Sequence, residues 1–246
     1  MNIRKLPWAG ILAQSGETTV AIDPLYHFPA IYGEPHEPLY PLTDYGPVDA
    51  VLVTHHHDDH FDPEAIRLFY GEDIPLFMPA ESVHLAAGAG LRNAHGVLPG
   101  QSFEIGRLRA TAVPSVDGTG DAQVAWIVED GERRILHAGD TLWHGYWWQI
   151  AASYGPFDAA CLPVNGAVLE IPRLNPPSGQ PITLMPEQAV AAAVVLGAHT
   201  LVPIHHTTIH HPPLYRQTPD MMSRLTASAH GKIKLNVLRT QEMLTL

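Results

Sequence analysis

The sequence predicts an α/β layered domain with mixed sheets, on three observations. Apolar β-branched runs alternate with helix-patterned segments, hairpin turn signals fall between some of the runs, and no linker, repeat or low-complexity tract divides the 246 residues. The 23 prolines and 20 glycines are scattered between short elements, so residues 1–246 read as a single domain. A hydrophobic fraction of 46% is enough for a sizeable packed core.

In chain order, Thr18–Ile22 reads as a strand that stops at Asp23-Pro24. Residues 49–54 form a continuous apolar run of the kind that fills a buried central strand. A polar cluster follows at once, and residues 62–71 then read as a helix: Asp62 serves as N-cap, Pro63 fits the first turn and Gly71 ends it. Residues 107–113 and 122–129 read as strands. Asp130-Gly131 is a hairpin turn signal, and residues 133–137 return as a strand ending at Ala138-Gly139-Asp140-Thr141. Residues 186–197 are Ala/Val-rich and open with Pro-Glu, so they read as a helix despite a poor N-cap. Thr200–Ile204 is a short strand that delivers His205-His206.

Composition excludes several functions. With 14 Lys+Arg against 25 Asp+Glu the net charge is −11, and no basic run exists to neutralise phosphates, which argues against nucleic acid as a partner. No apolar segment approaches the roughly 20 residues needed to span a bilayer. The apolar stretch after Arg4-Lys5 is broken by Pro7, Trp8 and Gly10 and makes a poor signal peptide. The single cysteine, Cys161, permits no internal disulfide; it reads as a small core residue and suits a reducing, cytoplasmic setting. The 16 histidines, by contrast, outnumber the basic residues, and imidazole is the commonest transition-metal ligand.

The informative segment is Thr54-His55-His56-His57-Asp58-Asp59-His60-Phe61-Asp62, where a strand hands over to a helix. So many imidazoles and carboxylates in one loop are mutually costly to pack unless they share a cation. A solvated loop or an expression tag is the bland alternative, but a tag lies at a terminus and lacks this context. The spacing resolves to His-x-His-x-Asp-His at His55, His57, Asp59 and His60.

This pattern resembles the metal signature of the metallo-β-lactamase fold superfamily. Ala138-Gly139-Asp140-Thr141 is similar to its bridging-aspartate motif, Val202-Pro203-Ile204-His205 to its last histidine motif, and Ala21-Ile22-Asp23-Pro24 to its early Asp-Pro. The wording around 135–141 and 186–205 is most similar to the branch that contains L-ascorbate-6-phosphate lactonase and N-acyl-phosphatidylethanolamine phospholipase D. The resemblance implies a four-layer αββα sandwich with one or two divalent ions, zinc first and manganese or iron as alternatives. It implies that His55 and His57 bind the first ion, Asp59, His60 and His205 the second, and that Asp140 bridges them. One position departs: Asp117 stands where the branch has a histidine completing the first site. An aspartate is a competent, harder ligand, and Asp117 is taken as one.

The function so implied is hydrolysis of a small ester, lactone or phosphodiester by a metal-bound hydroxide, with Asp59 orienting the nucleophile or relaying its proton. The alternative is a non-catalytic or metal-sensing relative whose first site Asp117 has impaired. His144 is a candidate proton donor to the leaving group. The aromatic run Trp143-His144-Gly145-Tyr146-Trp147-Trp148 reads as a pocket wall or as ordinary packing, and Asn165 as a residue facing the same edge or as a turn. His206 competes with His205, the Pro-Ile-His spacing favouring His205. The partner expected is a small-molecule substrate, and homo-oligomerisation is left open.

Overall fold

Helix-patterned segments cover strand-rich sheets on both sides in the computed structural model, which describes residues 1–246. The first sheet contains β1 (Asn2–Lys5), β2 (Ile11–Ser15), β3 (Thr18–Ile22), β4 (Ala50–Leu52), β5 (Leu76–Pro79) and β6 (Ala94–Val97). The second contains β7 (Ser102–Ile105), β8 (Leu108–Pro114), β9 (Val124–Glu129), β10 (Arg134–His137) and β11 (Ala159–Pro163). A two-stranded ribbon pairs β12 (Val168–Leu169) with a later strand, β14 (Tyr215–Arg216). β13 (Thr200–Ile204) and β15 (Lys234–Leu235) extend the second sheet, and β16 (Met243–Thr245) closes the outer edge of the first beside β1. Both sheets are mixed. β3 to β6 run parallel and β10, β11, β13 and β15 run parallel, while hairpins pair antiparallel elsewhere.

Three apolar clusters define the layers. The largest lies between the sheets and takes Ile3, Ile22 and Leu52 from one side and Trp126, Cys161 and Val202 from the other. A second packs α3 (Tyr146–Tyr154), α4 (Pro186–Val195) and α5 (Met221–Ala229) on the second sheet. A third packs α1 (Pro63–Tyr70) and α2 (Val83–Gly88) on the first. The result is the four-layer αββα sandwich that the motifs imply.

Local rules explain most boundaries. Asp62 caps α1 by accepting from the Ala65 N–H (3.0 Å), and Gly71 ends it at φ 94°. α4 overcomes its poor N-cap because the Gln188 side chain accepts from the Met185 N–H (3.0 Å). The run at 49–54 is shorter than expected: the strand ends at Leu52, the Val53 N–H makes a last bond to the Phe77 carbonyl (2.8 Å), and the Asp23 side chain then takes the Thr54 N–H (2.8 Å). The aromatic run at 143–148 leads into helix α3, which sinks Trp147 into the core and leaves Tyr146 and Trp148 exposed, as Trp143 is just before it.

Candidate metal centre

The strand ends assemble the site. Asp23 follows β3, the His55–His60 loop follows β4, Asp117 follows β8, Asp140 follows β10 and His205 follows β13, so all of them emerge at one edge of the sandwich. Two groups of ligand-type residues form there: His55, His57 and Asp117; and Asp59, His60, Asp140 and His205. In each group the ligand-type atoms lie within 4.8 Å of one another.

Every imidazole of these groups has one nitrogen assigned to a neighbour and the other left over. Asp23 Oδ2 accepts from the Thr54 hydroxyl (2.7 Å) and from His60 Nδ1–H (2.8 Å). A hydroxyl that donates to Asp23 can only accept from His55, so His55 Nδ1, 2.9 Å away, carries its hydrogen as well. One buried carboxylate therefore sets the tautomer of a histidine in each group, and in both the neutral ring keeps its lone pair on Nε2. His205 donates through Nδ1 to Asn165 Oδ1 (3.2 Å), which also accepts from the Thr183 hydroxyl (2.7 Å). His57 points Nε2 at Asp121 (2.8 Å) and turns Nδ1 toward Asp117 (3.9 Å).

The atoms left over converge. His55 Nε2, His60 Nε2, His205 Nε2 and Asp140 Oδ1 are all buried without a hydrogen bond. Asp140 Oδ1 lies 3.0 Å from His60 Nε2 and 2.8 Å from His205 Nε2, but these contacts lack hydrogen-bond alignment. An unpaired buried polar atom costs about 1–3 kcal/mol, so four in one place fit a shared cation and make poor sense without one. Asp117 fits the same logic. Its Oδ2 accepts from the Thr119 N–H (2.7 Å), the Thr119 hydroxyl (2.6 Å) and the Asp121 N–H (3.1 Å), and Oδ1 is the oxygen on the His57 side.

The electrostatics follow from burial and pairing. Burial drives the His55 imidazole well below its usual range, aided by His60 and His57, so it is neutral and competent as a ligand. Burial also opposes charge on His60 and His205, but Asp140 and Asp59 outweigh it and raise both. Burial works against the charged Asp140 carboxylate too, and His205 and His60 overcome it, holding Asp140 well below the carboxylate range.

Trp8 reaches the centre from the β1–β2 turn. Its indole N–H donates to Asp59 Oδ2 (3.0 Å) and its ring lies 4.0 Å from that of His205. Trp8, Asp23 and His205 all adopt left-handed backbone (φ 56°, 47° and 61°), three of only five non-glycine residues to do so. Each such residue costs on the order of 1 kcal/mol, so backbone strain is concentrated at this edge.

A pocket of about 480 Å³ adjoins the two groups, lined by Ile31, Tyr32, His57, Asp59, Ile171 and Arg173 among others. Burial keeps the Tyr32 phenol protonated, well above its ordinary range. His144 is not among the lining residues: it stacks on Trp147 (4.2 Å, 10°), and burial lowers its imidazole to about 4. His206 is buried beside His205 but outside both groups. The sequence reading missed Trp8, Tyr32, Asp121 and Arg173. It named Asn165 as one of two alternatives, and the structure places it behind His205. Asp121 alone left a signal, an acid four residues after Asp117 in a Gly-rich turn.

Comparisons with known proteins show the family and the fold. The family model described as Beta-lactamase superfamily domain matches residues 18–206, which include both ligand groups. A UPF0173 metal-dependent hydrolase of Thermus thermophilus is 31% identical over 225 residues, covering 87% of this chain and 86% of the relative. Another, of Caldivirga maquilingensis, is 27% identical over 208 residues, 83% of each chain. Among solved structures, Igni18, a metallo hydrolase from Ignicoccus hospitalis, superposes with a TM-score of 0.73 at 22% identity, covering 99% of this chain and 97% of its own; that likeness shows the fold.

Proposed function

Because the chain belongs to the β-lactamase superfamily domain family, we propose that it is a metal-dependent hydrolase of a small ester, lactone or phosphodiester. The observation that carries this reading is the convergence of unpaired buried donor atoms beside an open pocket. His55, His57 and Asp117 would hold one divalent ion and Asp59, His60 and His205 a second, with Asp140 shared between them. Zinc suits the imidazole-rich set, and manganese or iron suits its carboxylates. Such ions supply Lewis-acid polarisation of a carbonyl or phosphoryl oxygen and a nucleophile from water at neutral pH.

The chain's own residues supply the rest. Asp59 lines the pocket with Oδ2 fixed by Trp8, so its other oxygen takes the proton of the attacking water. Tyr32, held protonated, donates to a substrate oxygen from the pocket wall. His144, outside the pocket, is given no proton to carry. The hydrogen bonds that hold Asp117 support a functional first site over an impaired one.

The test is metal content per chain, by mass spectrometry on protein purified without chelator, alongside a panel of lactones, aryl esters and bis-aryl phosphodiesters. Two ions per chain and turnover that chelator abolishes are expected. Asp59→Asn should keep the fold and lose at least about 100-fold in kcat, the usual scale for a general base. A metal-poor protein inert on the whole panel overturns the reading.

A further inference from the structure

Arg173 is the only permanently charged cation lining the pocket, and its contacts are mutually inconsistent once the histidine tautomers are assigned. Its Nη1 donates to Asp121 Oδ2 (3.2 Å), while its Nη2 lies 3.2 Å from His57 Nε2. That same Nε2 is 2.8 Å from Asp121 Oδ2. A ring nitrogen cannot donate to Asp121 and accept from Arg173 at once. Ligation through Nδ1, the nitrogen on the Asp117 side, puts the hydrogen on Nε2 and directs it to Asp121. Arg173 Nη2 then has no acceptor at His57. Its side chain is still 51% exposed, beside the ligand groups of a protein whose net charge is −11.

A guanidinium anchored at one end by Asp121 and free at the other suits a carboxylate or phosphate oxygen, which its planar fork engages with charge-assisted bonds. Ile31, Ile171 and the Tyr32 ring line the same pocket, giving it an apolar surface beside its histidines and the carboxylates of Asp58 and Asp59. We propose that the substrate carries an anionic group, a carboxylate or a phosphate outside the bond that is cleaved, joined to that bond by a short apolar segment, and that Arg173 binds it. This rests on the hydrolase reading above and adds the substrate class to it.

Three aryl esters with the same scissile bond and acyl chain, ending in methyl, carboxylate or phosphate, test the proposal on metal-loaded wild type, Arg173→Gln and Arg173→Lys. Wild type is expected to favour one anionic ester over the methyl ester by about tenfold or more in kcat/KM, the scale of one charge-assisted contact. The preferred tail identifies which anion is read. In Arg173→Gln that ratio falls to near one, and in Arg173→Lys, which keeps the charge without the fork, it lies between.

Binding gives a second readout: calorimetric titration with glutarate and with propylphosphonate should show about a tenfold loss for one of them in Arg173→Gln. A wild-type ratio near one, or a ratio that survives in Arg173→Gln, overturns the anion site and leaves the hydrolase reading standing. Loss of probe affinity in Arg173→Gln from a protein that cleaves no ester upholds the anion site and overturns the hydrolase.

Discussion

Asp23→Asn perturbs both ligand groups through a single atom. Asp23 accepts three hydrogen bonds, from the Thr54 N–H, the Thr54 hydroxyl and His60 Nδ1–H, and all three partners are buried. Asparagine tolerates the left-handed backbone at this position (φ 47°), so the fold should survive. Its amide has one oxygen, which stays with the Thr54 N–H because that donor has no alternative. The NH₂ then faces His60 Nδ1 and the Thr54 hydroxyl, and both must become acceptors. His60 moves its hydrogen to Nε2, and the Thr54 hydroxyl, now donating to His55 Nδ1, drives His55 to the same change.

Loss of such an outer partner typically costs 10–100-fold in metal affinity, or about 1.4–3 kcal/mol, at each group. All three charge-assisted bonds also become neutral ones, worth about 3–5 kcal/mol in the metal-free protein, or about 6–20 °C in Tm at this chain length. Calorimetric titration with Zn²⁺, thermal unfolding of the metal-free form and long-range ¹⁵N spectra of the two imidazoles measure the three consequences. An Asp23→Asn protein that binds zinc as tightly as wild type would refute the tautomer argument, whatever its Tm.

Two further outcomes follow from the β1–β2 turn. Trp8→Phe keeps the ring against His205 but removes the N–H that holds Asp59 Oδ2; kcat should fall about tenfold with KM little changed, and the visible spectrum of the Co²⁺ form should shift, because Asp59 gains freedom at the second group. Lys5 lies fully buried under this turn, where its ammonium donates to the carbonyls of Leu6, Trp8 and Gly10. Burial lowers it to about 8 from 10.5, so above pH 8 the unfolded chain binds more protons than the folded one and stability should rise with pH. Urea unfolding between pH 8 and 9.5 should show that slope in wild type and lose it in Lys5→Met.

What the sequence made legible was contiguous or strictly ordered. The ligand loop is legible because β4 must deliver its side chains to one edge, and Asp140 and His205 because each ends a strand that lies beside or near its neighbours in the same sheet. Asp117 is legible only by its place in that order. The supporting residues are another matter. Trp8 meets Asp59 across 51 residues and Arg173 meets His57 across 116, and neither pairing leaves a spacing or composition signal. The left-handed residues are hidden as well, since tryptophan, aspartate and histidine do not announce positive φ as glycine does. Helices α3 and α5 leave no start signal in the sequence, since neither has a capping side chain and neither has the Pro-Glu opening that marks α4. Their amphipathic faces are short, and only packing against the second sheet completes them.

The same buried charges predict opposite pH responses for the two forms of the protein. In the metal-free chain Asp140 and Asp59 raise His60 well above 6.5, while His205 and His60 pull Asp140 well below 3.8. The stability that the raised histidine contributes is fully present below pH 6.5 and is lost as pH rises through its folded value. That of the depressed carboxylate is present above pH 3.8 and is lost as pH falls through its folded value. The contribution of this pair to the metal-free form is therefore greatest between about pH 4 and 6.5 and fades on the alkaline side.

A metal at this site must displace the proton on His60, so its affinity should climb with pH over that same alkaline range, by up to tenfold per unit for each proton released. Titration of the chain with Zn²⁺ at pH 7 in buffers of different ionisation enthalpy counts those protons directly. At least one released per chain is expected. Zero, with zinc bound, would mean that His60 is already neutral and that Asp140 and Asp59 do not hold its proton as the geometry requires.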